Sequence, residues 1–215
     1  MLNQAPVIDT VPTDTWVEAA WEDFLTFADD PTLERAKFYY DNGYMRIEMS
    51  PLGPAHGYDN SIVSTVIVLY AAIKNIPIKE LTNTSFRKAR VSGSQPDIAF
   101  YIGTNLQLPP RNNSPINLNE LTPPTLVVEI AASSLEDDTE RKQKLYQRLG
   151  VQEYWVVDVN NGKVIANLLS PTQSTPIRES QVLLGLEIAL VEEALKRSLT
   201  EDDGAITRWL IAKLN

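Results

Sequence analysis

The sequence predicts a mixed α/β fold, and three observations carry that expectation. Alternating apolar and polar residues flank an Asn42-Gly43 pair, the signature of a tight β-hairpin. A long segment from His56 to about Lys74 holds apolar residues over a length that suits a helix rather than a strand. Finally, the β-rich run Leu126–Ala131 is followed by a helix-forming stretch stopped at Gly150 and by a second β-rich run ending at Asp158.

Composition narrows the classes. The chain has 215 residues, 43% of them hydrophobic, which supports a sizeable core and most simply one domain over residues 15–215 behind a loose tail at 1–14. Cysteine is absent and His56 is the single histidine, so disulfides, thiolate zinc sites and multi-histidine metal sites within the chain are excluded. Any metal must then be held mainly by oxygen, which favours magnesium, calcium or manganese. A net charge of −9 gives the chain as a whole no basic footprint for a duplex. The N-terminus lacks a basic segment followed by an apolar run, and the apolar stretch Ile62–Ile73 is too short to span a bilayer, so the expectation is a soluble, cytoplasmic protein that does not meet a membrane.

The elements follow in order. Asp14 or Thr15 can cap a helix from Trp16 to Phe27, with Trp16, Ala20, Phe24 and Phe27 at helical spacing. Ala36–Met49 reads as the hairpin, and Pro51–Pro54 as a loop before the long helix. Its β-branched residues, Ile62, Val63, Val66, Ile67 and Val68, weaken helix propensity, but length decides for helix. Ile78–Leu81, Ser85–Ala89 and Pro96–Tyr101 read as short extended segments, and residues 103–124, rich in proline and asparagine, as a long surface loop. After the strand–helix–strand run, Asn160-Asn161-Gly162 turns the chain into Val164–Leu169, Gln181–Leu186 returns it, and Ala205–Leu214 forms an amphipathic last helix.

Charge placed against this pattern marks the candidate chemistry. Asp97 and Glu129 interrupt apolar strands, and a charge in a buried strand is costly unless paired or bound to a cation. Strand pairing can bring both carboxylates to one edge, where a hard divalent metal, with the carbonyl of Ile130 as a third oxygen, would relieve their repulsion. The competing reading is two outward-facing acids paired with nearby arginines. Lys142 lies on the helix after Glu129, where an ammonium can offset charge on a leaving oxygen. Asp138 stands four residues before it, so the pair also reads as an exposed salt bridge of about 0.3–0.5 kcal/mol. His56 can contact substrate or relay a proton, or simply cap its helix. Gln95 can orient a water, and Arg87, with Lys88 and Arg90, can touch phosphate; both also suit ordinary strand positions. Tyr154 and Trp155 can stack on bases, but their apolar run suits core or dimer contact better.

Taken together, Pro96-Asp97, Val127–Ile130, Ser134-Leu135 through Asp138 to Lys142 and Tyr146, and Gly150-Val151 to Asp158 resemble the Uma-two family of endonucleases in the restriction-endonuclease-like, PD-(D/E)XK, superfamily. Trp21–Phe24 resembles its opening helix, Gly43–His56 its glycine, Ser-Pro and histidine segment, and Leu183–Leu190 its closing strand, so the likeness covers about residues 15 to 192. The resemblance implies a mixed sheet flanked by helices, with an extra N-terminal hairpin, and Asp97 and Glu129 as ligands of magnesium or manganese. The superfamily lysine two residues after the glutamate is replaced here by Ala131, and Lys142 matches the position to which this family's lysine has moved.

The expected function is metal-dependent hydrolysis of phosphodiester bonds in DNA by a homodimer. Two alternatives stay open: a catalytically weak or inactive member that binds protein or nucleic acid, and an enzyme acting on a small phosphorylated molecule.

Overall fold

The computed structural model describes residues 11–49, 53–104 and 106–215. The expected tail at 1–14 lies outside them except for residues 11–14, and so do Pro51 and Leu52 of the expected Pro51–Pro54 loop. The chain forms two compact units, each assembled from separated segments. Because the chain enters both units more than once, no stretch of linker composition separates them.

The first unit takes Ser85–Gln95 and Arg111–Leu121 together with the described part of Met1–Pro51. Its six-stranded sheet has the order β1 (Trp16–Glu18), β3 (Tyr44–Glu48), β2 (Lys37–Asp41), β6 (Ser92–Ser94), β5 (Phe86–Lys88), β8 (Ile116–Asn117). The hairpin forms as read: β2 (Lys37–Asp41) pairs antiparallel with β3 (Tyr44–Glu48). Asn42 and Gly43 both take positive φ, 45° and 88°, as a primed two-residue turn requires.

The expected helix at Trp16–Phe27 is corrected. Trp16–Glu18 is strand β1, paired with Tyr44–Arg46 of β3, and helix α1 runs only Trp21–Ala28. Apolar spacing fitted either element, and the exposed edge of the hairpin decided it by taking the segment as a third strand. Ala20, not Asp14 or Thr15, precedes the helix, its N–H donating to the Asp23 carboxylate at 3.1 Å. Helix α1 lays Phe24 against Phe38, Tyr40, Met45 and Ile47.

Strands β5 (Phe86–Lys88) and β6 (Ser92–Ser94) complete a second antiparallel pair. The long loop after residue 103 is not all loop: β8 (Ile116–Asn117) adds in parallel to β5.

The second unit comprises Leu52–Thr84, Pro96–Pro110 and Thr122–Asn215, described from Gly53. Its sheet runs β12-β11-β10-β9-β7-β4. Strand β4 is Ile78–Thr82, β7 Ile98–Ile102, β9 Leu126–Ala131, β10 Glu153–Asp158, β11 Lys163–Leu169 and β12 Ser174–Pro176. Among the described residues of this sheet only β9 and β10 pair in parallel, across the helical segment between them, and both are buried throughout, as strands covered on two faces must be.

Helix α2 (Pro54–Ile73) packs Ile62, Val63, Val66, Ile67 and Tyr70 into this core, so tertiary burial overrides weak propensity. Helix α6 (Asp203–Leu214) forms as read and adds Ile206 and Leu210. Among the described residues no helix is long and apolar enough to cross a membrane.

The expected closing strand at Leu183–Leu190 is also corrected. Residues 181–185 turn, with Gly185 at φ 86°, and helix α5 begins at Ile188 and runs to Ser198. The reason is Glu153, fully buried at the start of β10. One of its oxygens accepts the main-chain N–H groups of Gln181 and Val182, donors that a strand would have given to a ladder. The other accepts the Trp155 indole and the Ser180 hydroxyl, each at 3.0 Å. Burial pushes the Glu153 carboxyl up from its ordinary range, and these donors work against that rise.

Glu153→Gln keeps the side chain's shape but turns an NH2 group toward donors that need an acceptor. It is expected to cost about 1–3 kcal/mol of stability, read as a lower urea midpoint with unchanged slope.

Candidate active site

Strands β7 and β9 are antiparallel, with Ile98 opposite Val128. One rung further, that register brings Asp97 to Glu129, and both are buried, at 4% and 1% exposure. Each carboxylate is tied to the other's strand. The Asp97 N–H donates to Glu129 Oε2 at 3.3 Å, and the Ile130 N–H donates to Asp97 Oδ2 at 2.8 Å.

Helices supply further donors to these acids. His56, on the first turn of α2, places Nε2 3.1 Å from Asp97 Oδ1. Tyr146, on helix α4 (Gln143–Leu149), donates its hydroxyl to Glu129 Oε1 at 2.7 Å. Burial pushes the Tyr146 phenol well above its ordinary value, and the charge of Glu129 adds to the rise, so this group stays a protonated donor. Nearby on α2, burial raises the Asp59 carboxyl, while His56 acts in the opposite sense.

The second pair sits where the helix between β9 and β10 departs from α geometry. Helix α3 (Leu135–Asp137) passes into a π-helical turn at Asp138–Lys142 before α4 begins. Such turns widen the helix locally and recur at functional sites. Here Lys142 Nζ lies 2.7 Å from Asp138 Oδ1, with the two side chains only 2% and 1% exposed. The Ser134 hydroxyl donates to Asp138 Oδ2 at 2.5 Å, and the Tyr154 hydroxyl to the Asp138 carbonyl at 2.9 Å. The exposed salt bridge expected as one reading of this pair is therefore wrong: the pair is buried. Arg141 and Lys144 gave the segment a solvated look in sequence.

The predicted residues divide into three groups. Asp97, Glu129, His56 and Ile130 come together, Ile130 through its N–H. Lys142 and Asp138 form their own pair, connected to Glu129 through aromatic rings: Tyr154, bonded to Asp138, lies 5.0 Å from Tyr146 between ring centroids.

Arg87 and Gln95 belong to the first unit. There Arg87 donates twice to Asp29, at 2.7 and 3.2 Å, and lies over the Phe24 ring. The Gln95 carbonyl accepts the Tyr39 hydroxyl at 3.0 Å. Tyr154 and Trp155 are fully buried and are core residues, not a stacking surface. Sequence reasoning gave no role to Tyr146 or Ser134. The signal for Tyr146 was its place four residues after Lys142, on the same helix face.

The family model Uma2, "Putative restriction endonuclease", matches residues 21–202. Among solved structures, the chain is similar to a "putative nuclease belonging to DUF820" from Anabaena variabilis ATCC 29413, with 20% identity and a TM-score of 0.57. The match covers 82% of this chain and 99% of that one, and at such identity it establishes the fold, mixed sheets flanked by helices. No curated protein matches the chain.

Removing one member of a buried ion pair leaves an uncompensated charge. Lys142→Met alone is expected to cost roughly 3–5 kcal/mol, and the double variant Asp138→Leu/Lys142→Met to recover most of that loss. Urea unfolding of the single and double variants checks it.

Proposed function

The chain belongs to the Uma2 family, and from that premise we propose that it is a divalent-metal-dependent endonuclease hydrolysing phosphodiester bonds in DNA. The observation that carries this reading is the Asp97–Glu129 pair, two buried carboxylates brought to one rung of adjacent strands. Two acids buried side by side are costly to a core, and a bound cation would offset that cost.

The residues fit a hard cation. The donors are oxygens, and a carboxylate oxygen that accepts one hydrogen bond keeps a second lone pair for a metal. Asp97, Glu129 and the Ile130 carbonyl would hold magnesium or manganese. Such a cation supplies Lewis acidity at phosphoryl oxygen and acidifies water at neutral pH.

The protein's own groups have separate tasks. His56 orients Asp97 through Oδ1 and stands where a proton can be passed. Tyr146 fixes the rotamer of Glu129. Lys142, positioned by Asp138, supplies positive charge for the leaving oxygen. The partner is DNA, the setting is cytoplasmic, and a homodimer supplies the basic groove that a chain of net charge −9 lacks.

One observation favours the competing reading of a binding module without activity: Lys142 is 1% exposed and already spent on Asp138. Activity measurements separate the two.

Purified protein is expected to nick supercoiled plasmid or cut single-stranded DNA with magnesium or manganese and to stop when EDTA is added. Asp97→Asn and Lys142→Ala, assayed where circular dichroism shows them folded, are expected to lose about a hundredfold or more in rate. Calorimetry on the same proteins reads metal binding. Neither cleavage nor metal binding by the wild type would overturn the nuclease reading and leave the binding module.

A further inference from the structure

We propose that the second unit carries a guanine-nucleotide site in the cleft between helix α5 and the β10–β11 turn, with Asp59 reading the base and Lys163 and Lys196 holding the phosphate. The binding stands on the residues of the cleft, and only its link to cleavage rests on the nuclease reading above.

The cleft lies where the parallel strands β9 and β10 end, and the carboxyl ends of such strands are where α/β sheets bind ligands. Its volume is about 510 Å³, inside the span of roughly 300–1,000 Å³ usual for small-molecule sites. One wall is the turn after β10, which Asp158 holds. The Asp158 carboxylate accepts the N–H groups of Asn160 and Asn161, at 3.1 and 3.2 Å, and the Asn161 side-chain amide at 2.7 Å. The Asn160 amide in turn donates to the Ala132 carbonyl at 2.9 Å, which pins the turn to the end of β9. Ala189, Leu195 and Leu199 add aliphatic surface from α5 and its end, and Leu199 is 80% exposed.

Five charged side chains line the cleft, and two of them are committed to arginines. Glu192 is held by Arg178 at 2.7 Å and Glu193 by Arg197 at 3.3 Å. Lys163 is only loosely tied, 3.8 Å from the same Glu192, with its side chain 67% exposed. Among the described residues, Asp59 and Lys196 have no hydrogen-bond or ion-pair partner. One carboxylate and two ammonium groups therefore remain for a ligand, beside an aliphatic surface.

That set selects by chemistry. A carboxylate only accepts hydrogen bonds, so it matches a base edge that carries adjacent donors. Guanine presents two, N1–H and the N2 amine. Adenine and cytosine place their amine beside a ring acceptor, and uracil and thymine flank a single N–H with carbonyls. The guanine pairing is bidentate and charge-assisted, and the two lysines suit a phosphate. Burial raises the Asp59 carboxyl, as expected of an acid short of donors, and a guanine edge supplies them.

Asp59 stands one helical turn after His56 on α2, about 4.5 Å along the axis. His56 in turn touches Asp97. On the nuclease reading, the cleft takes a guanine of the strand being cut, close to the scissile phosphate.

The test is calorimetric titration of the full chain, in EDTA, with the 5′-monophosphates of guanosine, adenosine, cytidine and uridine. Guanosine monophosphate is expected to bind at least about tenfold more tightly than the others. Asp59→Asn is expected to lose about tenfold or more of that affinity, the effect of a hydrogen bond to a charged group. Lys196→Ala is expected to weaken guanosine monophosphate and to leave guanosine itself unchanged. Circular dichroism of both variants is expected to match the wild type, because neither side chain has a partner to lose.

No binding at millimolar concentration, equal affinity for all four nucleotides, or an Asp59→Asn variant that binds as the wild type does would each overturn the site. A thymidine oligonucleotide with a single guanine, beside one with none, separates the two sources of the ligand. Guanine-dependent binding of the oligonucleotide assigns the cleft to a strand; binding of the free nucleotide alone keeps the site and overturns its link to cleavage. A wild type that binds guanosine monophosphate but neither binds metal nor cuts DNA keeps the site and removes the nuclease reading.

Discussion

Two carboxylates buried on one rung of neighbouring strands have to be supplied with donors, and much of the second unit is arranged around that demand. The strands cannot meet it alone, because their regular ladder uses main-chain donors for main-chain acceptors. At this rung the ladder gives way. Ile130 and Asp97 turn their N–H groups to side-chain oxygens, which is affordable only at the end of a pairing, where β7 begins. Two helices supply further donors, one with its first turn and the other from beyond a distorted turn. The start of α2 and the course of the chain between β9 and β10 are thus tied to the chemistry of the acids they serve.

The π-helical turn follows from the same demand. A regular α-helix presents residues four apart on nearly one line. Lys142 has to face Asp138 while Tyr146, four residues on, reaches the sheet at Glu129. Widening the helix over Asp138–Lys142 changes the angle between these directions and lets one short helical segment serve both. Tyr154 then closes the set from β10, bonding the Asp138 carbonyl and packing on Tyr146. Strand β10 is therefore more than a filler of the core. At its other end Glu153 fixes the turn that leads into α5, so one strand anchors the candidate site and the helix that covers the sheet.

Much of this could be read from sequence, for identifiable reasons. Asn42-Gly43 and Gly150 are positions where a single residue type breaks an otherwise consistent pattern, and each marks the turn or helix end it suggested, while the acids that break the strands at 97 and 129 are buried on one rung. The failures share the opposite character. Trp16–Glu18 carried a spacing that fits a helix or an edge strand, and only a partner distant in sequence could decide between them. Helix α5 was missed because Leu183–Leu190 shows strand-like apolar content, while Glu153, which takes the N–H groups of Gln181 and Val182 in the turn leading to it, lies about thirty residues earlier. The burial of Lys142 and Asp138 was hidden by charged neighbours, since sequence shows how many charges a helix has but not which of them a π-turn rotates inward.

Burial is what makes this cluster informative about function. Asp97, Glu129, Asp138 and Lys142 are each at least 96% buried, against a core otherwise filled by Ile, Val, Leu and aromatic side chains. Apolar replacements of similar volume at such positions commonly match or exceed the stability of the ionic set, so packing alone does not account for keeping it. Nor does solubility, which the exposed acids already provide at a net charge of −9. What the ionic set offers and an apolar set cannot is a fixed array of oxygens and one ammonium, held in place before any ligand arrives. Preorganisation of that kind suits a reaction or a ligand whose charge it complements. For a chain this acidic, a bound cation would turn a repulsive pocket into one that a polyanion can approach.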